Sequence, residues 1–567
     1  MSVRDVAVRS FWRVSGVSWR FPALIGAAVL TVTALPYLVG SGFAGGGRQF
    51  MGIAYDAPDT AQYFAWMRAF AHANSLLIAN PLTPEPNHAA FFNLLWFSLG
   101  HLGQFLHAQP AAIYQGFRWL AGGGFLAALW VICGQFCAPG RERRLAWLLA
   151  TLGGGFGWVW VIFKYTLHHQ IPPLDIYIAE PNTLFALIGF PHLLFASSLL
   201  IGIFLLALRG YERRSWAAYC GAAALGLLLG VTHAYDLLIV YTVLCGFVVA
   251  VTAKQRAIPW RLIAGVAIIG GVSSPPALYF TYLTQHDATW RGVLAQYGNG
   301  EIWTPSPPHL LILLGPVFLV ALIAVLVPAG WRALWRGPER DLLVAIWFLA
   351  SFVLVYLPTS YQIKMLNGWQ IPAAILAARG LLRVLLPQTP RVGGVFTRVD
   401  GRWPLAVIAG MGLVALALPT NLYLVAWRAD ELHRAAPPYS LTTNDVEALR
   451  WLDTNARAGD VVLASLTIGQ YVPAMSDARP VLAHWAQTLN YYEKDEAVRR
   501  FYAAATTEDE RLTLLHTWNV RYVFAGPEER ALGAFDPQPQ LARYAPVFTS
   551  GGTTIYAVQL TNAERGA

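Results

Sequence analysis

The sequence predicts a polytopic α-helical membrane protein of about eleven transmembrane helices, with a C-terminal α/β domain on the far side of the membrane from the N-terminus. Three observations predict it. Of 567 residues, 56% are apolar and only 13% charged, against about 25% charged in soluble domains. The shortage is confined to roughly the first 430 residues, while the remainder carries charges throughout. The formal charge of +9 comes mainly from arginines in short gaps between apolar runs, a pattern that orients helices in a bilayer rather than binding nucleic acid.

A spanning helix needs about 20 mostly apolar residues. The chain offers 21–40, 112–137, 145–163, 191–208, 217–232, 236–253, 262–283, 309–328, 342–357, 369–386 and 404–425. Arg4, Arg9, Arg13 and Arg20 precede the first run, as in a signal peptide, but the run is long enough to span and no small-residue cleavage site follows. Segment 89–106 is ambiguous until charges are counted. The gaps holding Arg141, Arg143 and Arg144; Arg209, Arg213 and Arg214; Lys254, Arg256 and Arg261; Arg332, Arg336 and Arg340; and Arg391, Arg398 and Arg402 share one side with the basic N-terminus only if 89–106 does not cross. It is therefore read as an amphipathic surface or re-entrant helix. The basic side is cytoplasmic, which predicts a multi-pass plasma-membrane protein with a cytoplasmic N-terminus and an extracytoplasmic C-terminal domain. Domains follow as 1–428 for the membrane part, with a large first outer loop at 41–111, then a Pro-containing linker at 429–440 and a soluble α/β domain at 441–567.

All four cysteines, Cys133, Cys137, Cys220 and Cys245, lie in apolar runs, so the outer domain needs no disulfide. Cys133 and Cys137, one turn apart, read as small packed residues. No Walker loop or dinucleotide-binding glycine motif occurs. GGG at 122–124 and GGGFG at 153–157 are read as lying inside apolar helices, where glycine more often serves close packing.

Polar residues gather at the outer helix ends. The first outer loop carries Asp56 and Asp59. The second carries His168, His169, Asp175, Glu180, Asn182 and His192. The short turn THAYD carries His233 and Asp236, and PTSYQIKMLNGWQIP carries Gln362 and Lys364. Each has a structural alternative: Asp59 and Asp236 as helix caps, Lys364 as a snorkelling anchor, His192 as an interfacial residue. Their convergence on one membrane face is what a site there needs. A carboxylate can take the proton of an attacking hydroxyl, and a Lys or His can neutralise a departing phosphate. That chemistry suits sugar transfer from a polyprenyl-linked donor.

In layout the chain resembles the fold class C (GT-C) membrane glycosyltransferases, which include protein O-mannosyltransferases, aminoarabinose transferases and oligosaccharyltransferases. DTAQYFAWMRAF is similar to their Asp-x-x-x-Tyr opening, which implies Asp59, with Asp56 beside it, as catalytic. LDIYIAEPN looks like their second acidic motif, which implies Glu180 or Asp175 in acceptor or metal binding. SYQIKMLNGWQIPAAILAARGL resembles a late motif, which implies that Lys364, with His233 and His192, meets the donor phosphate. The second motif is not a clean Asp-x-Asp, so a divalent metal is not required by the sequence; Glu180 and Asp59 are its candidate ligands. NPLTPEPNH lacks the lysines that some relatives carry there. The implied partners are a polyprenyl-phosphate sugar donor, membrane lipids, and a protein, lipid or glycan acceptor, with no nucleic acid. A flippase or transporter of a lipid-linked substrate, and a non-catalytic subunit of the same fold, are the competing readings.

In the C-terminal region, Asn444 and Glu447 suggest a capping box. DVVLAS, VRYVFAG and TTIYAVQL read as strands, and 487–504 and the segment after Thr507/Glu510 as helices. Gln470, Tyr471, His484 and Trp485 read as packed residues, with an acceptor surface as the alternative.

Overall fold

The structure is a computed structural model that describes residues 18–73, 75–168, 174–299, 303–386, 405–535 and 543–559. Arg4, Arg9, Arg13, His169, Arg391, Arg398 and Arg402 lie outside the described residues. The chain forms two compact units. The first comprises Met1–Leu35, Phe117–Phe280 and Ile302–Trp427; the second comprises Pro36–Gly116, Thr281–Glu301 and Arg428–Ala567. The charge count assigns the three segments of the second unit to a single membrane side, and they fold together.

Among the described residues seven helical stretches are long and apolar enough to cross a bilayer: Arg20–Phe43, Pro110–Phe136, Pro191–Glu212, Trp216–Gln255, Trp260–His286, Pro307–Leu326 and Leu405–His433. An eighth arises if Arg141–Leu152 and Gly157–Leu167, bent by 43°, count as one. Trp216–Gln255 holds two helices joined by a 3-10 turn at Ala234–Asp236. Where 342–357 and 369–386 are expected to span, the helices Arg340–Leu354 and Gln370–Gly380 have 15 and 11 residues.

The ambiguous segment 89–106 becomes a helix, Leu94–Leu106, of 13 residues. At 1.5 Å per residue it extends only about 20 Å, short of the hydrocarbon core. Asn93 caps it, accepting the N–H groups of Leu95 and Trp96. It lies close against Ala57–Ala73, since a Cβ on Gly100 would stand 2.1 Å from the Met67 carbonyl oxygen. In the first unit the Phe21 ring sits 5.8 Å from Trp147 and 5.2 Å from the Arg144 guanidinium. The first helix therefore starts at the end that carries Arg144. The basic gaps meet one another at that end, through Arg383 with Glu142, Arg340 with Glu212, Lys254 with the Gly337 carbonyl and Arg261 with the Arg214 carbonyl.

The run 145–163 is not one helix. GGGFG breaks it, contrary to the reading that these glycines sit inside a continuous helix. Gly315, at φ 70°, breaks Pro307–Leu326 in the same way, and the two breaks abut: a Cβ on Gly315 would stand 2.5 Å from the Gly155 Cα. Hydrocarbon offers no hydrogen-bond partner to the freed backbone groups, and side chains and neighbouring backbone supply them instead. Gly154 N–H donates to Ala417, Phe156 N–H to Ile312, Gly157 N–H to Asp175 Oδ2 and Trp158 N–H to Thr420 Oγ1. The Leu152 carbonyl accepts from Asn421 Nδ2.

In the second unit β1 (Arg48–Phe50) pairs antiparallel with β2 (Ser440–Thr442), tying the first outer loop to the C-terminal segment. A five-stranded sheet follows, from β3 (Val461–Leu463), β4 (Arg479–Pro480), β5 (Val520–Ala525), β6 (Tyr544–Ser550) and β7 (Thr553–Val558), in the order β4-β3-β5-β7-β6. β3 runs parallel to β4 and β5, and β7 runs antiparallel to β5 and β6. Helix Thr443–Asn455 is capped by Thr442, not Asn444; Glu447 accepts from Ser550 instead. The Thr507/Glu510 capping box forms as expected. Glu529 is buried, with its carboxylate accepting Ser465 and Gly526 N–H groups.

Two measurements check these packing arguments. Gly315→Ala places a methyl group against backbone at a left-handed φ, so its thermal midpoint in detergent falls by the equivalent of more than about 2 kcal/mol; a parent-like midpoint contradicts the abutted breaks. Burial, partly offset by those two N–H groups, raises the Glu529 carboxyl from 4.5 to about 7. A raised carboxyl favours the fold fully below pH 4.5, and that contribution is lost as pH rises through about 7, on the order of 3 kcal/mol in all. Unfolding of the parent between pH 5 and 8 shows that decline, and Glu529→Gln flattens it.

Candidate active site

The second unit presents the Asp56–Asp59 turn. Asp56 has φ 48°, a conformation that Asp tolerates better than most residues. Its carbonyl accepts Thr60 N–H, and its side chain accepts Asp59 N–H at 3.4 Å. Asp56 thus takes the cap expected of Asp59, and helix Ala57–Ala73 begins beyond it. Arg428, 2% exposed, braces this turn from outside. Its guanidinium donates to the Ala54 carbonyl and lies over the Tyr55 and Tyr439 rings.

Asp59, released from capping, points Oδ1 at His484 Nε2, 2.8 Å away. His484 is fully buried, while 23% of the Asp59 side chain is exposed. The imidazole tautomer is set by its surroundings: Nδ1 accepts the backbone N–H groups of Ala486 and Gln487. The hydrogen must sit on Nε2, which donates to Asp59. The loop carrying His484 is itself fastened. Thr488 Oγ1 accepts the N–H groups of Ala483 and His484 and donates to the Leu82 carbonyl. Gln296 Nε2 donates to the Ala486 and Thr488 carbonyls. These bonds hold residues 483–490 as a loop, so the expected helix 487–504 starts only at Tyr491. Gln470 and Tyr471 are packed as expected, donating to the Thr467 and Pro438 carbonyls; His484 is packed too, with its ring bonded to Asp59.

The first unit brings the segments LDIYIAEPN, THAYD and PTSYQIKMLNGWQIP together. Lys364 Nζ lies 2.9 Å from Glu180 Oε1, with 28% and 7% of the side chains exposed. Ser197 donates to Asn367, Asn367 to Asp236 Oδ2, and His233 Nδ1 lies 2.7 Å from the same oxygen. An acceptor facing Nδ1 puts the hydrogen there, leaving Nε2 to accept from the Tyr235 hydroxyl. The His192 ring lies beside His233, tilted by 51° with centroids 5.6 Å apart. Asp236 occupies an N-cap position but makes no capping bond, so its structural alternative fails. Asp175 is placed elsewhere in function: it closes the glycine break, where a Cβ on Gly157 would fall on its carboxylate. Burial raises it to about 6, with hydrogen bonds from Thr420, Gly157 and Gly155 opposing. Among the described residues no group of three or more His, Cys, Asp and Glu stands close enough to hold a metal ion. Glu180 and Asp59, the candidate ligands, each face a nitrogen instead.

No protein-family model and no curated protein matches the sequence. Solved structures do. The oligosaccharyltransferase AglB from Archaeoglobus fulgidus, solved with an inhibitory peptide and a dolichol-phosphate, is 14% identical, with 96% of this chain and 75% of that chain covered at a TM-score of 0.50. The arabinofuranosyltransferase AftD from Mycobacteria is 15% identical, with 97% of this chain but 40% of that chain covered at a TM-score of 0.54. ArnT from Cupriavidus metallidurans, bound to undecaprenyl phosphate, is 12% identical, with 94% and 98% covered at a TM-score of 0.47. The chain has the fold of the class C membrane glycosyltransferases, as its motifs imply.

His484→Ala removes the donor to Asp59 and leaves two buried N–H groups without an acceptor, at about 1–3 kcal/mol each. The variant is expected to unfold at a lower temperature than the parent, and His484→Asn, whose amide can both donate and accept, to recover part of the loss. Equal midpoints for all three proteins contradict the assigned tautomer.

Proposed function

We propose that the protein is an integral membrane glycosyltransferase that moves a sugar from a polyprenyl-phosphate donor to an acceptor at the outer membrane face. In this reading about eleven segments cross the membrane, the N-terminus is cytoplasmic, and residues 441–567 form an extracytoplasmic α/β domain. The observation that carries the proposal is a reachable Asp59 carboxylate, aimed by a buried histidine, in a chain with this fold. An acceptor hydroxyl attacks the anomeric carbon and its proton passes to Asp59. The bond from that carbon to the phosphate oxygen breaks, and polyprenyl phosphate leaves. Lys364, His233 and His192 meet the phosphate charge, with Glu180 orienting Lys364 and Asp56 shaping the turn that presents Asp59. Asp175 is assigned to bracing the glycine break.

The transport reading would use that break as a binding site near the midplane. Its backbone groups are paired, and the cavity beside it holds about 10 Å³, which weighs against it.

The test is sugar transfer by purified protein from a panel of polyprenyl-phosphate sugars, to added acceptors or water. Asp59→Asn is expected to lower turnover roughly 10²–10⁴-fold with an unfolding midpoint close to the parent's. A folded Asp59→Asn with parental turnover refutes the assigned base, and a parent inactive across the panel counts against the enzyme reading.

A further inference from the structure

The first unit encloses a second, larger space that sugar transfer does not use. A cavity of about 1900 Å³ opens at the end of the unit where the basic gaps meet. Eight basic side chains line it against three acidic ones, and a fourth acid, Glu142, pairs with the lining Arg383, which leaves an excess of four positive charges. Two of the acids are held in the wall by arginines, Glu212 by Arg340 and Asp341 by both guanidinium nitrogens of Arg379. Lys254 and Arg261 spend hydrogen bonds on the Gly337 and Arg214 carbonyls, which position them without cancelling their charge. Arg214 and Arg336 are exposed at the cavity.

The same segments carry an aromatic rim. Trp216, Trp260, Trp331 and Trp335 are 38–68% exposed, and exposed indoles favour the boundary between lipid and water. Helix Pro328–Arg336 has nine residues, too few to span. It buries Gly330 and Leu334 and exposes Trp331 and Trp335, stacked with centroids 6.1 Å apart, so it suits the interface plane. Its last residue, Arg336, lines the cavity. Concentrated cationic charge, a roomy space of mixed polar and apolar lining and an interfacial rim call for a ligand with a phosphate head and an apolar tail.

We infer that this cavity binds the phosphate headgroup of an anionic membrane lipid. The inference needs only the membrane setting and stands apart from the sugar-transfer reading. Full-length protein in neutral detergent is titrated with dibrominated phosphatidylglycerol and, separately, dibrominated phosphatidylcholine, reading quenching of tryptophan fluorescence. The parent prefers the anionic lipid, and the double variant Arg214→Gln/Arg336→Gln loses about fivefold of that preference for each neutralised charge. Both positions are exposed, so the fold survives, as circular dichroism reports. Inorganic phosphate at millimolar concentration leaves the parent's preference intact. A double variant with parental preference overturns the inference, and full competition by inorganic phosphate overturns it in favour of a soluble anion.

Discussion

Hydrocarbon supplies no partner for a hydrogen-bonding group, and the helix breaks of the first unit are built under that constraint. Glu180, Asp236, His192, His233 and Lys364 collect at one set of helix ends, and most arginines at the other, where Glu142, Glu212 and Asp341 pair with them. Where a helix breaks, the freed groups are paired at once. Asn421 and Thr420, Asp175 and two neighbouring backbone carbonyls satisfy the turn at Gly153–Gly157. Glycine is required there because Gly155 and Gly315 abut with no room for a side chain. Asp175 therefore reads as part of the scaffold despite its place in an acidic motif.

In the second unit the corresponding constraint is a complete account of donors and acceptors around one imidazole. Two backbone N–H groups claim Nδ1 of His484, which leaves Nε2–H for Asp59. Thr488 and Gln296 hold the loop that makes those N–H groups converge. Arg428 and Asp56 shape the turn from the other side of the carboxylate. The aim of a single carboxylate thus depends on three segments far apart in sequence.

Much of this was legible in the sequence. Apolar runs located the long helices, and the reading of 89–106 as something other than a spanning helix fits the 13-residue helix Leu94–Leu106, because hydropathy acts residue by residue. The DTAQYFAWMRAF motif pointed to Asp59, and the Thr507/Glu510 capping box was readable as a local rule. What escaped depends on distance. His484 pairs with Asp59 across 425 positions, and nothing local distinguishes it from a packed histidine. Capping assigned by residue type chose Asp59 over Asp56 and Asn444 over Thr442, because the helix start was one to three residues earlier than the pattern suggested. The glycine break was misread since close packing and a bent helix ask for the same residue. Arg428 carries no sequence motif, and its role rests on the Ala54 carbonyl and the Tyr55 and Tyr439 rings, which only the fold brings to it.

The central claim is that Asp59 acts on the reaction rather than on donor binding or folding. The most direct measurement pairs equilibrium binding of a labelled polyprenyl-phosphate sugar with its single-turnover transfer, in the parent and in Asp59→Asn. The account predicts donor affinity within about threefold of the parent and transfer slowed by at least roughly 100-fold. Loss of binding in step with transfer would contradict it and place Asp59 in holding the donor.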